Sequence, residues 1–343
     1  MRKILILLLA VVFTMVFTCI GSAADKGDPA KSKIAWYAPM PHPYFSAVKR
    51  GVEAWEKETG IKVKKVIGQE WSQQNENENV EALAAQGYRG FSIYPADPTA
   101  ANGLYDELVK HGAYVVNFGA KTTEPTPASF YVGTDIRQAA LDAAEKLCKL
   151  MGYKGNILNV LEIVEDVNTI TRKKAIEEVV AKYPNVRIIG EVADIKTVEE
   201  GMQKIGDALS AHIKEVDGVI CTGFTTTVAA TAILSEFNKK HKKYIRFVGI
   251  DDDPSVLKAI REGLIDTTVA QNPWGTGYLS VELLNRLLHG WTPKPGAYSV
   301  YAGHVFVTKK NIDTYFGELV HLTMITKEHL EDKVMNPPKK RVD

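Results

Sequence analysis

An excess of charge of either sign is missing from this chain. Its 343 residues carry 42 Lys and Arg against 41 Asp and Glu. The first 24 residues hold Arg2, Lys3 and no acid, so the rest carries 40 basic and 41 acidic side chains, a net charge of −1. Charge-driven binding to nucleic acid needs a local basic excess, so no nucleic-acid partner is expected. Cysteine is scarce, with Cys19, Cys148 and Cys221 in all. Cys148 falls in a helical pattern and Cys221 at a strand end, so two buried thiols are expected rather than a bridge. Without neighbouring histidines they make no zinc site. The eight histidines are dispersed. The motifs G-x-x-x-x-G-K-[ST], H-E-x-x-H and G-x-S-x-G are all missing. No cofactor, no metal and no enzymatic activity are therefore expected. The 26 Gly and 15 Pro are too scattered for collagen or low-complexity sequence, and 24% charged residues beside 45% hydrophobic ones exclude bulk disorder.

Long apolar runs are absent too, with one exception. Met1-Arg2-Lys3 is followed by an apolar run from Ile4 to Ile20, about 17 residues and at the low limit for a membrane span. It ends in Gly21-Ser22-Ala23-Ala24. A charged start, an apolar middle and small residues at Ser22 and Ala24 describe a secretory signal peptide over residues 1–24. The mature chain is then periplasmic or extracellular. Cys19 offers lipidation as a second outcome, although Val16-Phe17-Thr18 before it suits that pattern poorly.

The roughly 319 residues that follow suggest two domains. Short apolar runs alternate with helical patterns throughout. Strands are expected at 33–37, 62–67, 90–94 and 113–118, with helices at 43–59, 75–86 and 100–111 between them. A second series has strands at 130–133, 156–161, 186–192, 218–221, 245–250 and 266–270. Its helices fall at 139–151, 171–182, 198–212, 226–237 and 254–262, the last opened by Asp253-Pro254. A helix at 274–289 and a strand at 305–308 close the pattern, and a frayed tail runs from Pro338. Such alternation reads as βα units winding a parallel sheet with helices on both faces. The Lys239-Lys240-His241-Lys242-Lys243 run reads as a solvated helix end. In open α/β sheets ligands bind beyond the carboxyl ends of the strands, so the residues just after each strand are the candidates.

His42, Tyr44 and Phe45 follow the first strand. Neighbouring helix positions point about 100° apart, so both rings cannot serve one core. Either Phe45 packs inward with Tyr44 at the surface, or both offer flat faces to a sugar ring. Trp71 after the second strand is a lid over the core or a stacking platform. Arg172 is expected in the first turn of its helix, where a cation opposes the helix dipole and calls for a ligand or carboxylate partner. Asp251 stands at a strand end inside Asp251-Asp252-Asp253, where a carboxylate accepts two hydroxyl hydrogens. The run lacks the alternate spacing and glycine turn of a calcium loop. Gln271 offers an amide to a neutral ligand. Gly275-Thr276-Gly277 is a weak dinucleotide match, with Ser280 in the third glycine's place and no acid about 20 residues on.

These stretches resemble the type I periplasmic sugar-binding proteins, the ribose- and galactose-binding group that feeds ABC importers. The resemblance runs from about Lys33 to Lys309. It rests on Pro43-Tyr44-Phe45, on Gly90-Phe91-Ser92-Ile93-Tyr94-Pro95-Ala96-Asp97 and on Val132-Gly133-Thr134-Asp135. Val248-Gly249-Ile250-Asp251 followed by Val269-Ala270-Gln271 is the most specific pair. It implies an α/β fold of two doubly wound parallel-sheet lobes joined by a three-crossing hinge. Lobe one is expected at 32–134 plus 272–302, and lobe two at 135–271 plus 303–343. The crossings fall near Thr134-Asp135, Gln271-Asn272 and Ala302-Gly303. The implied ligand contacts are His42, the stacking rings Tyr44 and Phe45, Arg172 on sugar hydroxyls, and the carboxylate and amide of Asp251 and Gln271. The implied function is capture of a neutral monosaccharide or sugar alcohol for a membrane ABC permease, by a monomer. A sugar-sensing adaptor for a chemoreceptor is an alternative, and a secreted carbohydrate enzyme a more distant one. Two positions depart from the ribose binders. Their Asp-Arg is replaced after Asn117-Phe118 by Gly119-Ala120, and their asparagine by Gly223. Both losses point to a different hydroxyl pattern.

Overall fold

The computed structural model describes residues 33–164, 166–240 and 243–338. The leader with Cys19, His241-Lys242 within the basic run, and the tail beyond Pro338 lie outside them. In chain order the first series is β1 (Lys33–Ala38), α1 (Pro43–Thr59), β2 (Val63–Ile67), α2 (Gln73–Ala85), β3 (Tyr88–Ile93), α3 (Ala101–Lys110), β4 (Tyr114–Phe118) and β5 (Phe130–Gly133). The second is α4 (Ile136–Leu150), β6 (Gly155–Val160), α5 (Val167–Val180), β7 (Val186–Val192), α6 (Val198–His212), β8 (Val216–Cys221), α7 (Phe224–Lys240), β9 (Arg246–Ile250), α8 (Pro254–Glu262) and β10 (Thr267–Gln271). The chain then adds α9 (Pro273–Leu288), β11 (Thr292–Pro293), β12 (Ser299–Tyr301), β13 (His304–Val307), α10 (Tyr315–Glu328), a short π-helical turn at Leu330–Val334 and β14 (Met335–Asn336).

Two six-stranded sheets result, ordered β12-β5-β4-β3-β1-β2 and β13-β10-β9-β8-β6-β7. The first is parallel throughout. In the second, β13 runs antiparallel to β10 at the edge. The period of two along each strand explains why near-continuous apolar runs suit this architecture. Ile34, Trp36 and Ala38 enter one core with α1 and α9. Ala35 and Tyr37 enter the other, with α2 and α3. In the second sheet Leu158 and Val160 meet α6, α7 and α8, while Ile157 meets α4 and α5. Helix starts are fixed by side chains: Ser72, Asp135, Thr197 and Asp253 each accept from a backbone N–H of the first turn, worth about 1 kcal/mol apiece. Cys148 and Cys221 are buried free thiols.

The weak dinucleotide match has a packing explanation. A Cβ on Gly277 would sit 2.0 Å from the Val48 carbonyl oxygen, and one on Gly51 1.8 Å from that of Trp274. The glycines let α1 and α9 touch backbone to backbone.

Two expectations are corrected. Helix α5 begins at Val167, with Asp166 capping it by accepting from Thr169 N at 2.8 Å. Arg172 therefore lies in the second turn, and opposition to the helix dipole does not explain it. The assignment of 303–343 to lobe two also fails at its end. In α10, Leu319 is buried in the core of the second sheet and Tyr315 and Leu322 pack on it, whereas Met324 and Val334 pack on the core of the first, where Leu330 and Met335 are buried. Strand β14 pairs with β11, and Lys327 Nζ donates to Glu58 at 2.6 Å and Tyr278 at 2.7 Å. The apolar residues of this segment are divided between two cores, so the segment straddles the lobes. Fully buried Asn272 joins the same region. Its Nδ2 lies 2.7 Å from Ala302 O, 3.0 Å from Leu319 O and 2.9 Å from Thr323 Oγ1.

Candidate functional site

The carboxyl ends of both sheets open onto one cavity of about 460 Å³. His42, Tyr44, Phe45, Trp71, Arg172, Asp251 and Gln271 all line it. A second cavity of about 590 Å³ shares Trp71, Tyr94 and Asp166 with it and extends toward Lys121, Tyr131 and Arg137.

The wall from the first sheet is aromatic. His42 caps α1, its Nδ1 accepting from Tyr44 N at 3.1 Å. An accepting Nδ1 leaves the proton on Nε2, a donor. Phe45 is 2% exposed. It belongs to the core, as one sequence reading had it, and still borders the cavity. Tyr94, Tyr44, His42 and Trp71 have ring centres 4.9, 5.6, 5.8 and 6.1 Å from that of Phe45. Trp71 is 48% exposed and donates from Nε1 to Ala96 O at 2.9 Å, so it is neither a core lid nor free to turn. Ala96 N in turn donates to buried Glu76 at 2.7 Å. Burial pushes the Glu76 carboxyl up to about 7. Gly119 has φ +72°, and a Cβ there would lie 2.7 Å from Tyr44 Oη and 2.9 Å from the Tyr94 ring. The rings fill the space that a larger residue at 119 would need.

The wall from the second sheet is polar. Thr169, Arg172, Ile176 and Val179 share the inward stripe of α5, which carries the arginine toward the cavity. Arg172 is buried and donates from Nη1 to Thr222 O at 2.7 Å. Burial pulls its guanidinium pKa down, and the charges of Asp251, Glu162 and Asp166 oppose that. Asp251 adopts φ +70°, with its N–H on Val269 O at 2.8 Å and its carbonyl accepting from Thr268 Oγ1 at 2.7 Å. Gln271 Nε2 donates to Asp251 Oδ1 at 2.7 Å. Burial pushes the Asp251 carboxyl up to about 6, against the Gln271 hydrogen bond and the Arg172 charge. Asp252 accepts from Tyr315 at 2.8 Å. Asp253 caps α8, as its place before Pro254 foretells. Among the described residues no cluster of His, Cys, Asp and Glu is arranged to hold a metal ion.

Tyr94, Glu162 and Phe224 are among the lining residues that the sequence does not single out as contacts. Phe224 is 44% exposed at the start of α7 and adds a ring to the polar wall. The sequence signal for Glu162 is Gly223, whose missing side chain leaves room for it.

Both the strand-end cavity and the sheet orders are those of a two-lobed binding protein. The chain belongs to the periplasmic binding protein domain family, whose model matches residues 37–291. Members of this family bind ligands and are not enzymes. The chain is 23% identical over 284 residues to a xylitol-binding protein of Mycolicibacterium smegmatis, covering 81% of this chain and 77% of that one. It is 24% identical over 249 residues to a ribose import binding protein of Bacillus subtilis, covering 73% and 79%. A sugar-binding protein of a sugar ABC transporter from Bacillus halodurans superposes with a TM-score of 0.74 at 21% identity, over 83% of this chain and 100% of that one, which shows the shared fold.

Proposed function

We propose that this is a secreted solute-binding protein that captures a neutral monosaccharide or sugar alcohol between two lobes and hands it, unaltered, to an ABC importer. One observation carries the reading. Seven residues chosen from sequence line a single cavity, with rings from one lobe and hydroxyl-binding groups from the other. A sugar ring has apolar faces and a hydroxyl rim, so it needs both kinds of wall. His42, Tyr44, Phe45 and Trp71 pack on its faces. Arg172, Asp251 and Gln271 take its hydroxyls. The charged, apolar and small-residue pattern of residues 1–24 supports export of the chain, and lipidation of Cys19 is the alternative outcome. The xylitol and ribose carried by its relatives support a small polyhydroxy ligand.

Neither lobe encloses the cavity alone, so a ligand touching both favours the closed arrangement by no more than its differential affinity for it. Gly303, at φ +85°, and Asn272-Pro273 are the bending points. A thermal-shift screen of sugars and polyols tests the reading, because a ligand at 100 times its Kd adds about 2.7 kcal/mol. Small-angle scattering with the best ligand should then show a smaller radius of gyration. A screen in which no carbohydrate or polyol raises Tm contradicts the function. An unchanged scattering profile with a tight ligand contradicts the closure.

A further inference from the structure

Glu162 sits against a stretch of backbone that has no side chain. A Cβ on Gly223 would lie 2.0 Å from its Oε2 and 2.5 Å from its Cδ. Any other residue at 223 would displace this carboxyl. Its backbone N–H donates to Thr222 Oγ1 at 3.0 Å, and its Oε1 accepts from Thr225 N at 2.9 Å. The group is thus held at both ends. Among the described residues none donates to Oε2, and the side chain lines the ligand cavity. Asp251 and Glu162 are the two carboxylates that act most strongly on buried Arg172. With Asp166, which caps α5, the polar wall therefore presents three carboxylates around one cationic donor.

A hydroxyl both donates and accepts, so a run of ligand hydroxyls matches such a wall. A ligand carboxylate only accepts and carries the wrong sign for three of the four charged groups. We propose that Glu162 is a specificity-determining residue: Oε2 accepts from a ligand hydroxyl and, with Asp251, bars sugar acids from the cleft. Gly223 is its positioning partner. The proposal rests on the carbohydrate reading above and adds the class of ligand that is refused. A purely structural role for Glu162, as a cap on the start of α7 through Thr225, makes a different demand. Glu162→Gln keeps an oxygen for that cap, removes the charge and turns the Oε2 position from an acceptor into an NH2 donor.

Calorimetry at pH 7.5 separates the two roles, using xylitol, D-ribose and D-galactose, each beside its acid counterpart: xylonate, D-ribonate and D-galacturonate. Wild type should bind at least one neutral compound and prefer it over its acid by roughly a hundredfold. E162Q should bind that compound roughly tenfold more weakly and lose most of the preference, with an unchanged apo Tm. Gly223→Ala, which displaces the carboxyl without deleting it, should weaken the neutral compound likewise. This second variant serves if E162Q does not fold. Neutral affinity equal to wild type in the tested variant, or an undiminished preference over the acid in E162Q, overturns the assignment. Silence of the wild type toward all three neutral compounds overturns this inference, and the carbohydrate reading falls with it when the wider screen of sugars and polyols also finds no ligand.

Discussion

The two walls of the cleft are built by different physics. On the first lobe, Phe45 is a core residue of α1 whose edge reaches the cavity, and Tyr44, Tyr94 and Trp71 lean on it. Packing holds that wall. On the second lobe, Arg172 is held by its hydrogen bond to Thr222 O, and Asp251 by those it accepts from Gln271 and Thr268. Polar satisfaction holds that wall. The difference teaches where stability and recognition separate. On the proposed reading Phe45 serves both, while a polar group in the second wall serves recognition at small cost to the apo fold.

Six substitutions at five residues probe that contrast. Phe45→Ala should cost the most, about 3–5 kcal/mol of stability, because it empties a fully packed site; urea unfolding of the apo protein reads this, and a loss under 1 kcal/mol would place Phe45 in the wall and not in the core. Next comes Glu76, buried beneath the Trp71 loop. Its folded pKa of about 7 lies above the ordinary 4.5. The folded protein thus keeps a proton that the unfolded chain releases, and stability falls as pH rises from about 4.5 to about 7. Below that window the cost vanishes; above it the cost approaches roughly 3 kcal/mol. Asp251, pushed from 3.8 to about 6, adds a slope of the same sign. Glu76→Gln should flatten the pH profile of apo unfolding and raise stability at pH 8, and a parallel profile contradicts this.

Arg172→Ala and Asp251→Ala should each weaken the ligand found by screening at least tenfold, about 1.5–3 kcal/mol, with the apo protein still folded. For Asp251 the acceptor is the ionised form, so wild-type affinity should drop as pH falls through about 6. Titration calorimetry at pH 7.5 and pH 5 checks this, and Asp251→Asn should remove the Asp251 part of the drop. Intact affinity in both alanine variants contradicts the polar wall. Trp71→Ala should have the smallest effect, about 0.5–1.5 kcal/mol of affinity and little on Tm, since its ring is half exposed. A Tm loss like that of Phe45→Ala would make Trp71 a core lid after all.

The alternation of apolar runs made both sheets legible, and Asp253-Pro254 marked a helix start to the residue. The start of α5 was hidden because Val167 and Ile170 are exposed β-branched residues that look unlike a helix. The cap at Asp166 decides it through a single hydrogen bond. Helix α10 has no one apolar stripe, since its residues serve two cores, so periodicity missed it. Strands β11, β12 and β14 are two or three residues long, too short for any alternation to register. The cavity-lining residues at strand ends were legible from order alone. Glu162 was not, because its meaning depends on Gly223, on a different strand's loop.

The straddling C-terminal segment decides what an attached label would report. The chain leaves the second lobe at β13, enters its core again through Leu319, and finishes buried with Leu330 and Met335 in the first. A dye or affinity handle fused after Pro338 therefore rides on the first lobe. A donor and acceptor pair meant to follow opening needs its other member on the second lobe, for example at exposed Lys258 on α8. Placed on α1 instead, it would stay silent however far the cleft moved.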